Sequence, residues 1–259
     1  MIRVKDLPKI KEIELIYDRG LRLAIAYDDG ITPKENDNLG IAAIDLGEIH
    51  TIAAVCDNDQ GVIITGRKIR SLKRLRNKKM KELQKKIAKC QKGSRQWKKY
   101  RRALNYILDK SDAQLTDALH KTTRKFVNWC RENNVKEVVV GNMEGIQRHT
   151  SPKKKKNKRK RSSKHNQKMS QWQFGRTTAY LQYKLATEGI SLQKVDESYT
   201  TQTCPVCGRR KKTSSRNYSC TCGYREHRDI HGAKNILSKY KYGKFREISL
   251  DQQKYLRIP

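Results

Sequence analysis

A mixed α/β fold is what this sequence predicts, and three features predict it. Short apolar strands crowd into residues 39–65, and helical stretches lead twice into a further apolar strand, at Val135–Val140 and at Ile190–Val195. Two cysteine pairs then stand directly ahead of a last helical segment. Closely spaced strands read as an antiparallel meander. A helix that delivers the chain into an apolar strand implies a crossover onto a parallel neighbour.

The elements follow in order. Ile13, Leu15 and Tyr17, then Leu21, Leu23, Ile25 and Tyr27, alternate with polar residues around Asp18-Arg19-Gly20, the signature of a β-hairpin. A lone two-stranded hairpin is marginal in water and no strand pattern lies upstream, so the chain is expected to begin inside a larger ancestral domain. Asp28–Asn38 is a polar linker. Leu39–Gly47 is an apolar strand ending in Asp45 and a glycine, and Thr51–Val55 and Val62–Thr65 complete the meander. Met80, Leu83, Ile87 and Cys90 repeat at three-four spacing, Gly93-Ser94 interrupts, and Trp97, Tyr100, Leu104 and Ile107 resume the pattern. Two helices packed as a hairpin with basic outer faces explain this. Leu115, Leu119, Phe126 and Trp129 mark a third helix before the strand that closes at Gly141-Asn142-Met143-Glu144. Phe174, Thr178, Leu181 and Leu185 trace another helix, Gly189 stops it, and the fifth strand runs into Asp196-Glu197. From Ser238 onward the chain is expected to be polar, basic and poorly ordered. The order βββαβαβ, then cysteine ribbon and helix, is the ribonuclease-H-like arrangement, in which the carboxyl ends of adjacent strands lie side by side.

Charge points to a nucleic-acid partner. The chain carries 59 Lys+Arg against 26 Asp+Glu, a formal charge of +33, and such a surface repels itself unless phosphates or counterions neutralise it. The basic stretch at 151–168, with Lys153, Lys154, Lys155, Lys156, Lys158, Arg159, Lys160 and Arg161, cannot bury a core and reads as a phosphate-binding loop. Arg76, Lys78 and Lys79 extend the same reading to the first basic helix. No apolar run is long enough to span a membrane.

Cysteine spacing defines a metal site. Cys204-Pro-Val-Cys207-Gly208 is a tight knuckle, and Cys220-Thr-Cys222-Gly223 supplies two more thiolates, which together satisfy tetrahedral Zn2+. Cys56, Cys90 and Cys130 stand among apolar residues and read as small buried hydrophobes. Carboxylates at the carboxyl edge of the sheet point to a second chemistry. Carboxylates placed there can share two divalent ions, and hard oxygen ligands suit Mg2+ or Mn2+. His50, His120, His149, His165 and His227 show no ligand-like grouping in the sequence and read as structural or surface residues.

Over residues 40–237 the chain resembles TnpB, the OrfB-type family of insertion sequences related to type V CRISPR effectors. Ile44-Asp45-Leu46-Gly47 is similar to the first acidic motif of that family, and Tyr199–Gly208 to its run into the ribbon. Arg228-Asp229-Ile230-His231-Gly232-Ala233-Lys234-Asn235-Ile236 resembles its third motif, with His231 in place of the usual asparagine. The resemblance implies Asp45 and Asp229 as two of the metal-binding acids. The family's glutamate at the end of the fourth strand is replaced by Gly141, so two residues compete for the third place: Glu197, which ends the fifth strand and is slightly preferred, and Glu144, three residues beyond the fourth. The resemblance implies a RuvC-like fold and metal-dependent cleavage of DNA guided by RNA. On this reading residues 1–38 are a wedge-type remnant and linker, and 39–196 are a nuclease core with a basic helical hairpin (67–109) and the basic loop (151–168). Residues 197–228 are then the zinc ribbon, and 229–259 the last helix and a basic tail. The expected partners are DNA, a guide RNA and a protein that supplies guide-holding domains, in the cytoplasm or nucleoid of a prokaryotic-type cell. The alternative is a catalytically inactive nucleic-acid-binding protein: a repressor, a transposition accessory or a subunit of a split assembly.

Overall fold

The computed structural model describes residues 9–142, 172–213 and 215–258. The chain divides into two compact units, Met1–Lys34 with Ser71–Asp117, and Glu35–Arg70 with Ala118–Pro259. Glu144 and the basic stretch from Lys153 to Arg161 lie outside the described residues, as do His149 and His165.

In the first unit β1 (Ile10–Tyr17) and β2 (Leu21–Tyr27) pair antiparallel, as their alternation predicts. The unit also holds most of α1 (Arg67–Ala88) and the N-terminal part of α2 (Arg95–Glu132). Charge ties the hairpin to the helices. Arg19 reaches Asp112 at 3.0 Å and Asp109 at 3.4 Å, Arg22 reaches Asp109 at 2.6 Å, and Arg76 of α1 takes the other oxygen of Asp112 at 2.8 Å. Between the helices Gly93 adopts the left-handed region at φ 84°, and the Ser94 hydroxyl accepts from the Trp97 N–H at 3.2 Å, an N-cap for α2.

The expected third helix is not separate: α2 runs unbroken for 38 residues. Neither glycine nor proline interrupts it, and Ser111, Thr122 and Thr123 turn their hydroxyls back onto carbonyls of the preceding turn instead of capping a new helix.

The second unit is built on one sheet. β3 (Gly40–Asp45), β4 (His50–Cys56) and β5 (Gln60–Thr65) form the antiparallel meander. Strand β6 (Val135–Gly141) lies parallel to β3, and β7 (Ser191–Val195), reached through α3 (Phe174–Ala186), lies parallel to β6. A small ribbon pairs β8 (Asn217–Ser219) with β9 (Arg225–His227), and α4 (Arg228–Tyr242) follows at once. The segment from Ser238 onward departs from expectation. It completes α4 and then forms β10 (Gln252–Leu256), parallel to β5, so the sheet has six strands in the order β10-β5-β4-β3-β6-β7. Backbone pairing orders this polar stretch where side-chain hydrophobicity gave no signal, since an edge strand needs a ladder more than an apolar pattern. The architecture is otherwise the ribonuclease-H-like one that the strand and helix order predicts.

Packing fixes α4 on the sheet. Its Ile230, Ala233, Ile236 and Leu237 lie against Ala43, Ala53, Val55, Ile63 and Val139 in one buried cluster. Each large side chain buried there contributes about 1.5–3 kcal/mol. On α3, Lys184 is buried and donates to the His120 carbonyl at 2.9 Å and the Thr123 hydroxyl at 2.8 Å, while Tyr180 stacks on His120 at 4.2 Å. Cys56 and Cys130 are buried, as expected; Cys90 is only partly so, because it lies past the end of α1 in the connection to α2.

Candidate functional site

Register brings the ends of three parallel neighbours into line. Ile44 pairs with Val140 and Gly141 with Val195, so the next step along β3 places Asp45 beside Gly141. The Asn142 N–H donates to the Val195 carbonyl at 2.7 Å and carries the pairing one residue past β6. Two residues beyond β7, Glu197 turns back over Gly141: a Cβ at position 141 would run into its carboxylate. Asp45 sits equally close to Gly232 of α4, where a Cβ would come within 2.5 Å of Asp45 Oδ2. Two glycines thus make room for two carboxylates. Asp229 enters from the first turn of α4, where the unpaired N–H groups and the helix dipole favour negative charge. A cleft of about 400 Å³ is lined by all three acids and by Thr200, Thr201, Arg216 and Arg228.

Electrostatics separates the three acids. Burial, together with the nearby charges of Asp229 and Glu197, pushes Asp45 up to about 8, and Arg228 offsets only part of this. Burial, then Asp196, pushes Glu197 up to about 7. Asp229 goes the other way: burial raises it, but a hydrogen bond with His50 and the charges of His50, His227 and Arg216 outweigh that and hold it below the ordinary carboxylate value. A cleft that so strongly disfavours three negative charges also attracts cations, and its donors are hard oxygens that fit Mg2+ or Mn2+.

The four ribbon cysteines converge. Cys204 Sγ lies 3.5 Å from Cys222 Sγ, and Cys207 Sγ lies 3.5 Å from Cys220 Sγ, with all four sulfurs within 4.8 Å of one another. Tetrahedral thiolate zinc spaces its sulfurs by about 3.8 Å, so this donor set fits Zn2+. The unusual single-residue spacing of the second pair is accommodated by Gly223 at φ 96°, whose N–H donates to the Cys220 carbonyl at 3.2 Å. The thiols interact: chiefly a backbone N–H from Cys222 holds Cys220 down, while burial pushes Cys204 up.

The ribbon is stitched to α4. Tyr218 stacks on His231 at 4.0 Å, the Tyr224 hydroxyl lies 3.4 Å from His231 Nδ1, and Lys234 pairs with Glu226 at 2.5 Å. Asn235 Nδ2 donates to the carbonyls of Thr200 at 2.6 Å and Thr203 at 2.8 Å. Burial and the Lys234 charge outweigh Glu226 and push His231 down to about 4, so it enters this aromatic stack neutral. The segment that presents Glu197 and the helix that presents Asp229 are therefore joined through one side-chain network.

The reading of the histidines is corrected. His50 and His227 are grouped, and with Asp229 they form a cluster whose ligand atoms lie within 4.8 Å of one another. The antiparallel turn from β3 to β4 returns the chain to the same sheet edge and brings His50 to Asp229, a proximity that no local spacing records. The one available signal was His227 standing two residues ahead of Asp229. Arg216 and Arg228 on the cleft wall were likewise missed as site residues. Among the basic residues singled out, Arg76 is held by Asp112 and Lys79 lies 3.7 Å from Glu82.

Comparison with known proteins shows what this chain is similar to. The model described as "Cas12f1-like, TNB domain" matches residues 174–236, and the OrfB model of IS605 type, described as "Probable transposase", matches residues 23–147. The chain is 26% identical over 242 residues to the TnpB-like protein MJ0751 of Methanocaldococcus jannaschii, across 90% of this chain and 81% of that protein. It is 26% identical to the TnpB-like protein L79 of Acanthamoeba polyphaga mimivirus across 88% of this chain, but spans only 43% of that protein. Among solved structures, the Cas12f1–sgRNA–target DNA complex aligns with a TM-score of 0.61 at 16% identity, over 86% of this chain and 44% of the other. A CRISPR-Cas12f ternary complex gives 0.60 at 19% identity, over 83% and 41%. The fold is shared with these structures, and the chain spans less than half of their length. Two family models that match most of its length between them, and a TnpB-like relative aligned over nine-tenths of it, support a TnpB-type protein.

Proposed function

We propose that the chain is a RuvC-type nuclease module that hydrolyses phosphodiester bonds of DNA at the carboxyl edge of its sheet. The observation that carries this reading is the convergence of Asp45, Glu197 and Asp229 on one cleft, with Glu197 lying over the glycine at the end of β6. In this proposal Glu197, not Glu144, is the third acid. Mg2+ or Mn2+ bound by these carboxylates would supply the positive charge that water activation and departure of the leaving oxygen require.

The protein's own residues have distinct parts. Asp45 and Glu197 have raised proton affinity, so holding Mg2+ or Mn2+ would require both to give up their protons, whereas Asp229 is held below the ordinary carboxylate value. His50 restrains Asp229 by a 2.8 Å hydrogen bond. Arg216 and Arg228 line the same cleft and offer guanidinium groups to a backbone phosphate. Cys204, Cys207, Cys220 and Cys222 would hold Zn2+, and a ribbon closed in that way would fix the start of α4 and with it Asp229.

The proposed partners are target DNA and a guide RNA, as in the solved Cas12f1 complex, with guide-holding domains supplied by a partner protein. The test is cleavage of labelled single-stranded and duplex DNA with Mg2+ or Mn2+, with and without copurified RNA, by the unsubstituted chain and by Asp45→Ala, Glu197→Ala and Asp229→Ala. Metal-dependent cleavage lost in all three variants is expected. Binding without cleavage by the unsubstituted chain turns the assignment to the noncatalytic alternative, and cleavage retained by Glu197→Ala removes Glu197 from the acid set.

A further inference from the structure

We propose that His50, His227 and Asp229 form a second cation site, with two imidazoles and one carboxylate, that takes a borderline transition ion such as Zn2+, Co2+ or Ni2+ in preference to Mg2+. One ligand atom from each residue lies within 4.8 Å of the others. His50 Nδ1 is already 2.8 Å from Asp229 Oδ2, and the two imidazole rings stand 5.0 Å apart, tilted by 53°. His227 Nδ1 is buried and has no hydrogen-bond partner among the described residues, so a polar atom at this site lacks the contact that buried nitrogens ordinarily make. An ion is one such contact.

Rigid elements position the three ligands. His50 begins β4, His227 ends β9, and Asp229 lies in the first turn of α4. The Tyr255 ring meets His50 edge-on at 5.7 Å and 89°, which fixes the plane of the imidazole. Donor chemistry sets the selectivity: imidazole nitrogen binds zinc, cobalt and nickel well, whereas Mg2+ prefers oxygen and keeps its water. The site is also distinct from the ribbon, whose four donors are sulfurs. It shares Asp229 with the acidic cleft, so an ion held here engages one of the carboxylates that cleft uses. The proposal itself requires no cleavage activity.

Cobalt titration of the zinc-loaded full chain tests it. Co2+ is expected to bind without thiolate-to-cobalt absorption and to produce paramagnetically shifted, exchangeable imidazole N–H resonances. Both signals should survive in Asp45→Asn. In the His50→Gln, His227→Gln double variant the shifted resonances should vanish and cobalt affinity fall at least tenfold, with melting curve and ribbon zinc content as controls on folding. Cobalt that enters only with thiolate absorption, or that binds the unsubstituted chain without shifted imidazole resonances, overturns the proposal; both outcomes are read on unsubstituted protein and do not depend on how a variant folds. Equal affinity in a folded double variant overturns it as well.

Discussion

Glu197 and Gly141 behave as a complementary pair, because the space a side chain would need at 141 is filled by the neighbouring strand's carboxylate. Gly141→Glu should therefore crowd the site and destabilise the fold by about 1–3 kcal/mol. Glu197→Ala should lower metal-dependent cleavage by roughly a hundredfold, the equivalent of about 3 kcal/mol of transition-state stabilisation. Combining the two returns an acid to the same space from the other strand and should recover part of both losses. A double variant no better than the worse single one, in melting and in cleavage, would show that the two positions are not interchangeable. Lys184 makes a second residue-scale prediction. Burial, then the Arg124 charge, lowers its amine to about 8, whereas an unfolded lysine titrates near 10.4. Between those values the unfolded chain holds more protons than the folded one, so this group makes stability rise with pH across that window. Denaturant midpoints from pH 7.5 to 10 should show that rise in the native chain and a weaker one in Lys184→Met; parallel curves refute the assignment. Asp45 and Asp229 could be singled out in the sequence as candidate acids because each sits inside a contiguous motif, and the structure brings both to one cleft. His50 could not, since what gives it a role is the return of β4 to the edge where β3 ends.

Local order governs the elements. Strands β3 to β6 were legible because buried strands are written as runs of Val, Ile and Ala, and the edge strand β7 because it follows a helical pattern that Gly189 stops; β10 was not, because an edge strand of Gln-Gln-Lys-Tyr-Leu carries neither signal. The expected separation of a third helix was wrong because neither glycine nor proline stands between Ile107 and Leu115 to stop α2. At this scale the ribbon is the element most open to test. Removing zinc should expose the Tyr218–His231 stack, lower the melting temperature and speed amide exchange over residues 225–232; an unchanged exchange pattern after confirmed chelation would deny the ribbon its structural part. In the other unit, Asp112→Ala leaves Arg19 and Arg76 without their shared carboxylate. The surface pairs themselves are worth about 1 kcal/mol at most, so the expected result is faster proteolysis within the β1–β2 hairpin with little change in melting. Protection equal to that of the native chain would mean that other contacts hold the hairpin.

The formal charge of +33 belongs to the whole molecule, and so does its consequence for binding. If six or more phosphates are neutralised, affinity for DNA should fall on the order of a thousandfold between 50 and 200 mM salt. A shallow salt dependence would mean that most of the Lys and Arg side chains face solvent or carboxylates when nucleic acid is bound. The sheet, by contrast, is a matter of timing. Strand β5 leaves the ribosome early, but its outer edge pairs with β10, which is made only after β6, β7 and the ribbon. Until then that edge is a row of unpaired backbone groups on a nascent chain, open to pairing with a neighbouring polypeptide. Strand β10 also brings Tyr255, whose ring braces His50, which in turn restrains Asp229. Translation thus closes the sheet and braces the last of the acids in one event, and a chain stalled before β10 would carry every carboxylate of the cleft with one of them unbraced.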